Sequence, residues 1–346
     1  MSRYAERYAS RKGPGDQRPT ALEIVQDENL VGKLTGRVAL VTGVSSGIGI
    51  ETMRAFHAAG LTVYGTVRNL AKGQKVVDEI LAADPDNKAR IELIEIDLES
   101  FDSIRAGAAE FLRKENTLNI LVNNAGVMAC PEGRTKDGWE IQFGTNHLGH
   151  FLLFQLLKAT LLASATPEFP SRVVSVSSIG HRSNSINFEN INLEGEYEPF
   201  KAYGQSKTAN IWFANEIERR YGAKHLHATS VHPGGILSGL MVHVADTPEI
   251  KSLSKDPVAL AYFKTPEQGA ATSVYAALSE EWKNKGGKYL SDCVEQSPFP
   301  SDASHWMSIA DGDGYERWAY DPESEKKLWA TSLKAVNIED DQKNNN

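Results

Sequence analysis

An α/β fold, built as one doubly wound parallel sheet with helices on both faces, follows from three features of this 346-residue chain. Short runs rich in β-branched and apolar residues alternate with segments of helical period, the pattern of consecutive βα units. One such unit, residues 37–59, joins strand to helix through the glycine-rich turn Thr42-Gly43-Val44-Ser45-Ser46-Gly47-Ile48-Gly49. Polar or glycine-containing turns close the next strands, at Asp97-Leu98 and at Asn123-Asn124-Ala125-Gly126. They fall on the carboxyl-end edge of the sheet, where ligands bind in open α/β folds. Together these make the fold Rossmann-like.

Composition narrows the function. With 41% hydrophobic and 24% charged residues the chain has enough apolar material for one large core. A net charge of −8 and no basic stripe argue against nucleic acid as a partner. Two distant cysteines, Cys130 and Cys293, suggest no disulfide framework and fit a reducing compartment, the cytoplasm. Residues 1–19 are charged and lack the apolar centre of a secretory signal. The most apolar stretch, 151–163, is too short to span a membrane and carries Gln155 and Lys158.

In chain order, residues 1–33 form an N-terminal extension, expected as a surface arm, part disordered and part laid on the domain, without catalytic role. The domain proper is expected over 34–335, and 336–346 as a polar tail. Residues 37–42 read as a buried strand. In the turn that follows, glycines let a backbone approach phosphate closely, and the helix N-terminus offers free N–H groups. Its spacing is Gly-x-x-x-Gly-x-Gly. The strand over 62–67 ends without an acid and is followed by Arg68, which suits a ribose 2′-phosphate and so favours NADP(H) over NAD(H). Further helices are expected at 74–82 and from Ser100, an N-cap, to 115; further strands at 90–96 and 120–122.

A long helix over 139–163 carries Asn146, His147 and His150. The histidines invite a metal reading, but no acidic or cysteine partner is nearby, and packing is the better account. Asn146 by itself reads as a core amide with its hydrogen bonds satisfied. A strand over 172–176 ends at Ser177-Ser178, with His181 beyond; a hydrolytic Ser–His pair lacks its nucleophile elbow. A strand over 227–231 leads into His232-Pro233-Gly234-Gly235-Ile236. Residues 237–264 mix apolar side chains with charges and read as a lid over an apolar substrate. A helix over 266–278 and a last strand over 287–290 follow; Cys293 reads as a packing residue, and Trp306, Trp318 and Trp329 as packing on the domain.

The helix after Ser178 carries Tyr203-Gly-Gln-Ser-Lys207. Four residues apart, the phenol and the ammonium share one helix face. Lys207 is expected to lower the pKa of Tyr203 and fit it for proton transfer.

On these motifs, in this order, the chain resembles the short-chain dehydrogenases/reductases from about residue 36 to 290. Three stretches are similar to the branch holding retinol dehydrogenases and the WW-domain oxidoreductase: Asn146-His147-Leu148-Gly149-His150-Phe151, residues 265–271 and residues 287–293. The resemblance implies hydride transfer between a nicotinamide and a lipophilic carbonyl or alcohol. It implies Tyr203 as proton donor and acceptor, Ser178 polarising the oxygen, Lys207 on the nicotinamide ribose, and Asn146 holding a water in a proton relay. It also implies cofactor contacts at Gly43, Ser45, Ser46, Gly47, Ile48, Gly49, Arg68, Asp97, Leu98, Asn124, Ala125, Gly126, Tyr203, Lys207, Pro233, Gly234, Ile236 and Ser238. Ser178 rather than Ser177 is chosen by its spacing from the tyrosine. Pairing of two copies through the two long helices is a further implication. The competing expectation is a non-catalytic dinucleotide-binding sensor or scaffold on the same fold, which would usually lack the tyrosine or the lysine.

Overall fold

The structure, a computed structural model, describes residues 2–247, 251, 255–303, 305–308 and 312–342. Strands β1 (Val38–Thr42), β2 (Thr62–Val67), β3 (Ile91–Glu95), β4 (Ile120–Asn123), β5 (Ser171–Val176), β6 (Leu226–His232), β7 (Tyr289–Ser291) and β8 (Val294–Glu295) form one sheet. Among the described residues it has eight strands, in the order β3-β2-β1-β4-β5-β6-β7-β8. The first seven are parallel and β8 runs antiparallel to β7. Chain direction across the sheet reverses between β1 and β4, which opens a crevice at their carboxyl ends.

β1 is buried along its whole length, as a central parallel strand covered on both faces must be. One face packs on α2 (Ala21–Asp27), α3 (Ile48–Ala58), α4 (Leu70–Ala83) and α11 (Ala271–Leu278). The other packs on α5 (Phe101–Lys114), α7 (Gly149–Ser164), α8 (Pro199–Tyr221) and the C-terminal α12 (Pro322–Ala335). Local chemistry sets these boundaries. Asn69 caps α4 by accepting from Lys72 N at 2.9 Å, and Ser100 caps α5 by accepting from Ser103 N at 3.3 Å. Pro199 at the first turn of α8 suits a position whose N–H has no helical partner.

Several expectations are corrected. The long helix over 139–163 starts as a single turn, α6 (Ile141–Phe143), because the buried Glu140 carboxylate accepts from the N–H groups of Gln142 and Phe143 at 2.8 and 2.7 Å. A π-helical stretch, Gly144–Leu148, then shifts the register before α7. The helix over 266–278 divides at Ala270 into α10 (Pro266–Gly269) and α11. The last parallel strand is displaced to Tyr289–Ser291, and the short β8 beyond it was not expected. The region expected as a lid is partly helical, with a 3₁₀ turn at Gly239–Met241 and α9 (Pro257–Tyr262); residues 248–250 and 252–254 lie outside the described residues.

Both termini depart most from composition. In place of a partly disordered arm, the N-terminus folds into α1 (Ala5–Ala9) and α2, and buries Tyr4, Tyr8, Ile24 and Val25. Thr20 and Glu23 make a capping box at α2. The supposed polar tail begins with the buried Val336, and Asp340 and Asp341 bond Arg220 and Tyr221 at 2.9 and 3.0 Å. Its last residues, 343–346, lie outside the described residues.

Candidate active site

The crevice deepens into a cavity of about 900 Å³ that runs from Arg68 to Trp306. At one end the turn after β1 is built for close backbone approach. Gly43 and Gly47 take positive φ, 74° and 63°, which side chains rarely tolerate. A Cβ at Gly49 would run into the Gly43 carbonyl and the Asn124 amide. The N-terminus of α3 begins at Gly47 with no side-chain cap, beside Ser45, Ser46 and Ile48 on the cavity wall. These unclaimed N–H groups suit a pyrophosphate.

The β4 turn is tied to β1 through Thr42. Its hydroxyl oxygen accepts from Asn124 N and Ala125 N, each at 2.9 Å, and Asn124 Nδ2 donates to Thr42 O at 2.8 Å. With its oxygen accepting twice, the Thr42 hydroxyl donates to His150 Nε2 at 2.8 Å, so His150 carries its proton on Nδ1 and donates it to the Asn146 carbonyl at 2.9 Å. His147 Nε2 pairs with the Ser332 hydroxyl at 2.8 Å. Burial pushes His147 down to about 3 and His150 to about 4. Both are neutral packing residues with roles of their own.

After β2, Arg68 lines the cavity beside Asn69 and Lys72, but its guanidinium is shared with Glu99 at 3.2 Å. Asp97 accepts from Glu99 N at 3.1 Å and pairs with Lys136 at 2.9 Å; these bonds outweigh its desolvation and hold it below the usual carboxylate range. Leu98 lies next to it on the wall.

The expected chemical residues gather midway. Ser177 is committed, its hydroxyl donating to the Lys207 carbonyl at 2.8 Å. Ser178 Oγ accepts from Gly180 N at 3.0 Å, leaving its hydrogen for an acceptor in the cavity. A Cβ on Gly180 would strike the Tyr203 ring, so this glycine lets the phenol pack close to Ser178. His181 cannot serve Ser178 as a base. Its Nδ1 donates to the Ser178 carbonyl at 2.6 Å, its Nε2 accepts from Glu316 N at 3.2 Å, and burial holds it near 3. Tyr203 and Lys207 are both buried, the ammonium 5.5 Å from the phenol ring centre. Lys207 Nζ donates to Val176 O at 3.2 Å. An ammonium has three donors, so others remain for a ribose. Gly126 packs against the same group: a Cβ there would come within 3.0 Å of Asn146 Oδ1, a tight approach, and only into ordinary contact with Nζ at 3.5 Å.

The expected effect of Lys207 on Tyr203 is overturned. Burial dominates, raising Tyr203 to about 12, with the Ser178 hydroxyl drawing it back, and lowering Lys207 to about 8. Asn146 stands behind the cavity rather than on it. Its Oδ1 accepts from Val127 N at 2.8 Å, and its Nδ2 donates to Val127 O and Ser206 Oγ at 2.9 Å. Its side chain is thus a satisfied core amide.

The loop after β6 closes the cavity's far side. Pro233, Gly234, Ile236 and Ser238 all line it, and Ile236 bridges to Lys264. Beyond them the wall is apolar: Met128, Cys130, Phe200, Trp306, Met307, Tyr262 and Phe263. Cys130, Phe200, Trp306 and Met307 were not expected there; they come from three separate segments, and only the aromatic and sulfur-bearing side chains hinted at them.

Sheet order, glycine turn and the Ser178–Tyr203–Lys207 cluster define a dinucleotide-binding oxidoreductase class. The chain belongs to the short chain dehydrogenase family, whose sequence pattern matches residues 37–249. It is 51% identical to the short-chain dehydrogenase/reductase prx1 of Penicillium roqueforti, over 97% of this chain and 95% of that one. It is 41% identical to human retinol dehydrogenase 11, over 75% and 79% of the two chains. Among solved structures it is similar to an uncharacterized protein from Mycobacterium paratuberculosis (TM-score 0.65, 30% identity, 90% of this chain and 97% of that chain). Another is Pseudomonas aeruginosa RhlG in an active-site complex with NADP (TM-score 0.61, 26% identity, 76% and 96%). No helix among the described residues is long and apolar enough to cross a membrane.

Proposed function

We propose that the protein is an NADP(H)-dependent oxidoreductase that interconverts a lipophilic carbonyl compound and its alcohol. The observation that carries this is the convergence of Ser178, Tyr203 and Lys207 on the cavity that also holds the uncapped end of α3. The bound nicotinamide supplies or accepts the hydride at the carbonyl carbon. Tyr203 gives its phenolic proton to the carbonyl oxygen, or takes it back in the reverse direction. Because burial holds that phenol protonated well above neutral pH, it starts as the donor that reduction requires. Ser178 donates to the same oxygen as negative charge develops there. Lys207 orients the ribose and steadies the transient phenolate. Arg68, with Lys72 beside it, meets the 2′-phosphate. The apolar wall from Met128 to Met307 favours a bulky, weakly polar substrate. Retinol dehydrogenases among the relatives and NADP in a similar structure agree with this reading. The free thiols Cys130 and Cys293 are in keeping with a reducing compartment, the cytoplasm.

The test is Tyr203→Phe. Carbonyl reduction, followed as NADPH oxidation across a panel of aldehydes and ketones, is expected to fall by about 10³-fold or more while the NADPH dissociation constant stays unchanged. Normal turnover by that variant would remove the proton role.

A further inference from the structure

The N-terminal arm makes its densest polar contacts under one wall of the cavity. Arg18 is 1% exposed. Its Nη1 donates to Tyr262 O at 2.8 Å and its Nη2 to Phe263 O at 2.6 Å, while Asp16 pairs with its Nε at 2.8 Å. Tyr262 and Phe263 end the lid segment and both line the cavity. A second arginine holds the same residue from another side. Arg11 lies 5.0 Å from the centre of the Tyr262 ring and pairs with Asp292 at 2.8 Å. It also reaches Asp313 at 3.4 Å, whose other oxygen accepts from the Tyr262 hydroxyl at 3.0 Å. Asp292 in turn binds Lys264 at 2.6 Å, and Lys264 donates to Pro233 O at 2.9 Å in the loop beside the nicotinamide end. Gln268, buried at the start of α10, donates to the carbonyls of Asp16 and Arg18 at 3.0 and 3.1 Å and completes the attachment.

A buried guanidinium is costly to desolvate and holds its place only if its donors are met. Here two of those donors are spent on consecutive carbonyls of the substrate-side wall, while the sheet reaches Tyr262 only at its hydroxyl among the described residues, through His232 Nε2 at 2.8 Å. We infer that the arm is part of the substrate site: Arg18, seconded by Arg11, is a positioning residue that sets where Tyr262 and Phe263 stand, and thereby the size of substrate accepted. This rests on the carbonyl-reductase reading for its kinetic consequence and on the contacts alone for its structural one.

The experiment uses full-length protein with Arg18→Met. It is compared with wild type and with Ile24→Ala, a core change in the same arm away from the cavity. Michaelis constants are measured for a small aldehyde, 4-nitrobenzaldehyde, and for a polycyclic ketone, beside the NADPH dissociation constant, thermal stability and amide exchange over 255–264. Arg18→Met is expected to raise KM for the polycyclic ketone about tenfold, with kcat for the small aldehyde and NADPH binding within about twofold. Amide exchange at 257–264 should quicken. Ile24→Ala should lower stability without that split. Equal effects on both substrates, or a split matched by Ile24→Ala, would overturn the inference. If wild type reduces neither carbonyl, the functional reading fails by itself. The wall is then read from exchange and from titration with the apolar dye 8-anilinonaphthalene sulfonate, and an Arg18→Met variant unchanged in both sinks the inference.

Discussion

The two ends of the cavity are made in different ways. The end proposed for the cofactor is local: strand, turn and helix within residues 38–58, with the β4 turn clipped on through Thr42. Its shape comes from missing side chains, at Gly43, Gly47 and Gly49. The end proposed for the substrate is assembled from afar. Residue 18 reaches residue 263, residue 11 reaches 313, and Trp306 and Met307 arrive from a segment past the sheet. Its shape comes from buried charges bonded to backbone and to each other. An end built from backbone contour admits one kind of ligand. An end built from long-range tethers can be re-proportioned without disturbing the first.

That contrast can be broken at several strengths below the loss expected for Tyr203→Phe. Gly49→Ala should damage the cofactor end most, since the added carbon meets the Gly43 carbonyl and the Asn124 amide. We expect a loss of about 1–3 kcal/mol in denaturant unfolding and at least about tenfold in NADPH affinity by fluorescence titration. The apolar wall should be unaffected.

Lys207→Met sharpens the comparison at the midpoint. Burial lowers the lysine from 10.5 to about 8 in the folded chain. Below pH 8 both folded and unfolded chains carry the charge, and the full cost of burying it is present. Between about 8 and 10.5 the unfolded chain binds more protons, so wild-type stability rises with pH. At pH 7 the unliganded variant should therefore be the more stable by about 1–3 kcal/mol, with the difference shrinking across that window and activity lost throughout. Unfolding curves at pH 7, 8.5 and 10 check the trend.

The smallest effect belongs to Arg68→Ala. The side chain is 69% exposed and shared with Glu99, so screening is strong. The preference for NADPH over NADH should narrow by about three- to tenfold. Equal affinities in the wild type would remove Arg68 from the 2′-phosphate.

How much of this was legible in the sequence follows the same divide. The alternation of strands and helices, the glycine turn and the pairing of Tyr203 with Lys207 are short-range patterns, and seven of the strands fall within about two residues of their expected places. Choosing Ser178 over Ser177 was spacing alone; the structure adds a reason, since the Ser177 hydroxyl is spent on Lys207 O. The arm was misread because Arg, Asp and Gln look like surface composition until partners some 250 residues away are known. The rise of Tyr203 was misjudged, and the fall of Lys207 not foreseen, because proximity of charge is visible in a helix and depth of burial is not. The break of the helix after Glu140 depended on a carboxylate turning back onto two amides, which periodicity does not register.

The C-terminal helix α12 carries one last consequence. Trp329 stacks or edges against Phe151, Phe154, Phe213 and Tyr221, and Arg220 lies 4.6 Å from its ring centre. Asn215 Nδ2 donates to Glu325 at 2.8 Å, and Arg219 pairs with the same carboxylate. These partners lie on the two long helices, α7 and α8. While α12 stays docked, it covers the part of α7 and α8 that carries these side chains, so the chain itself keeps those rings from solvent.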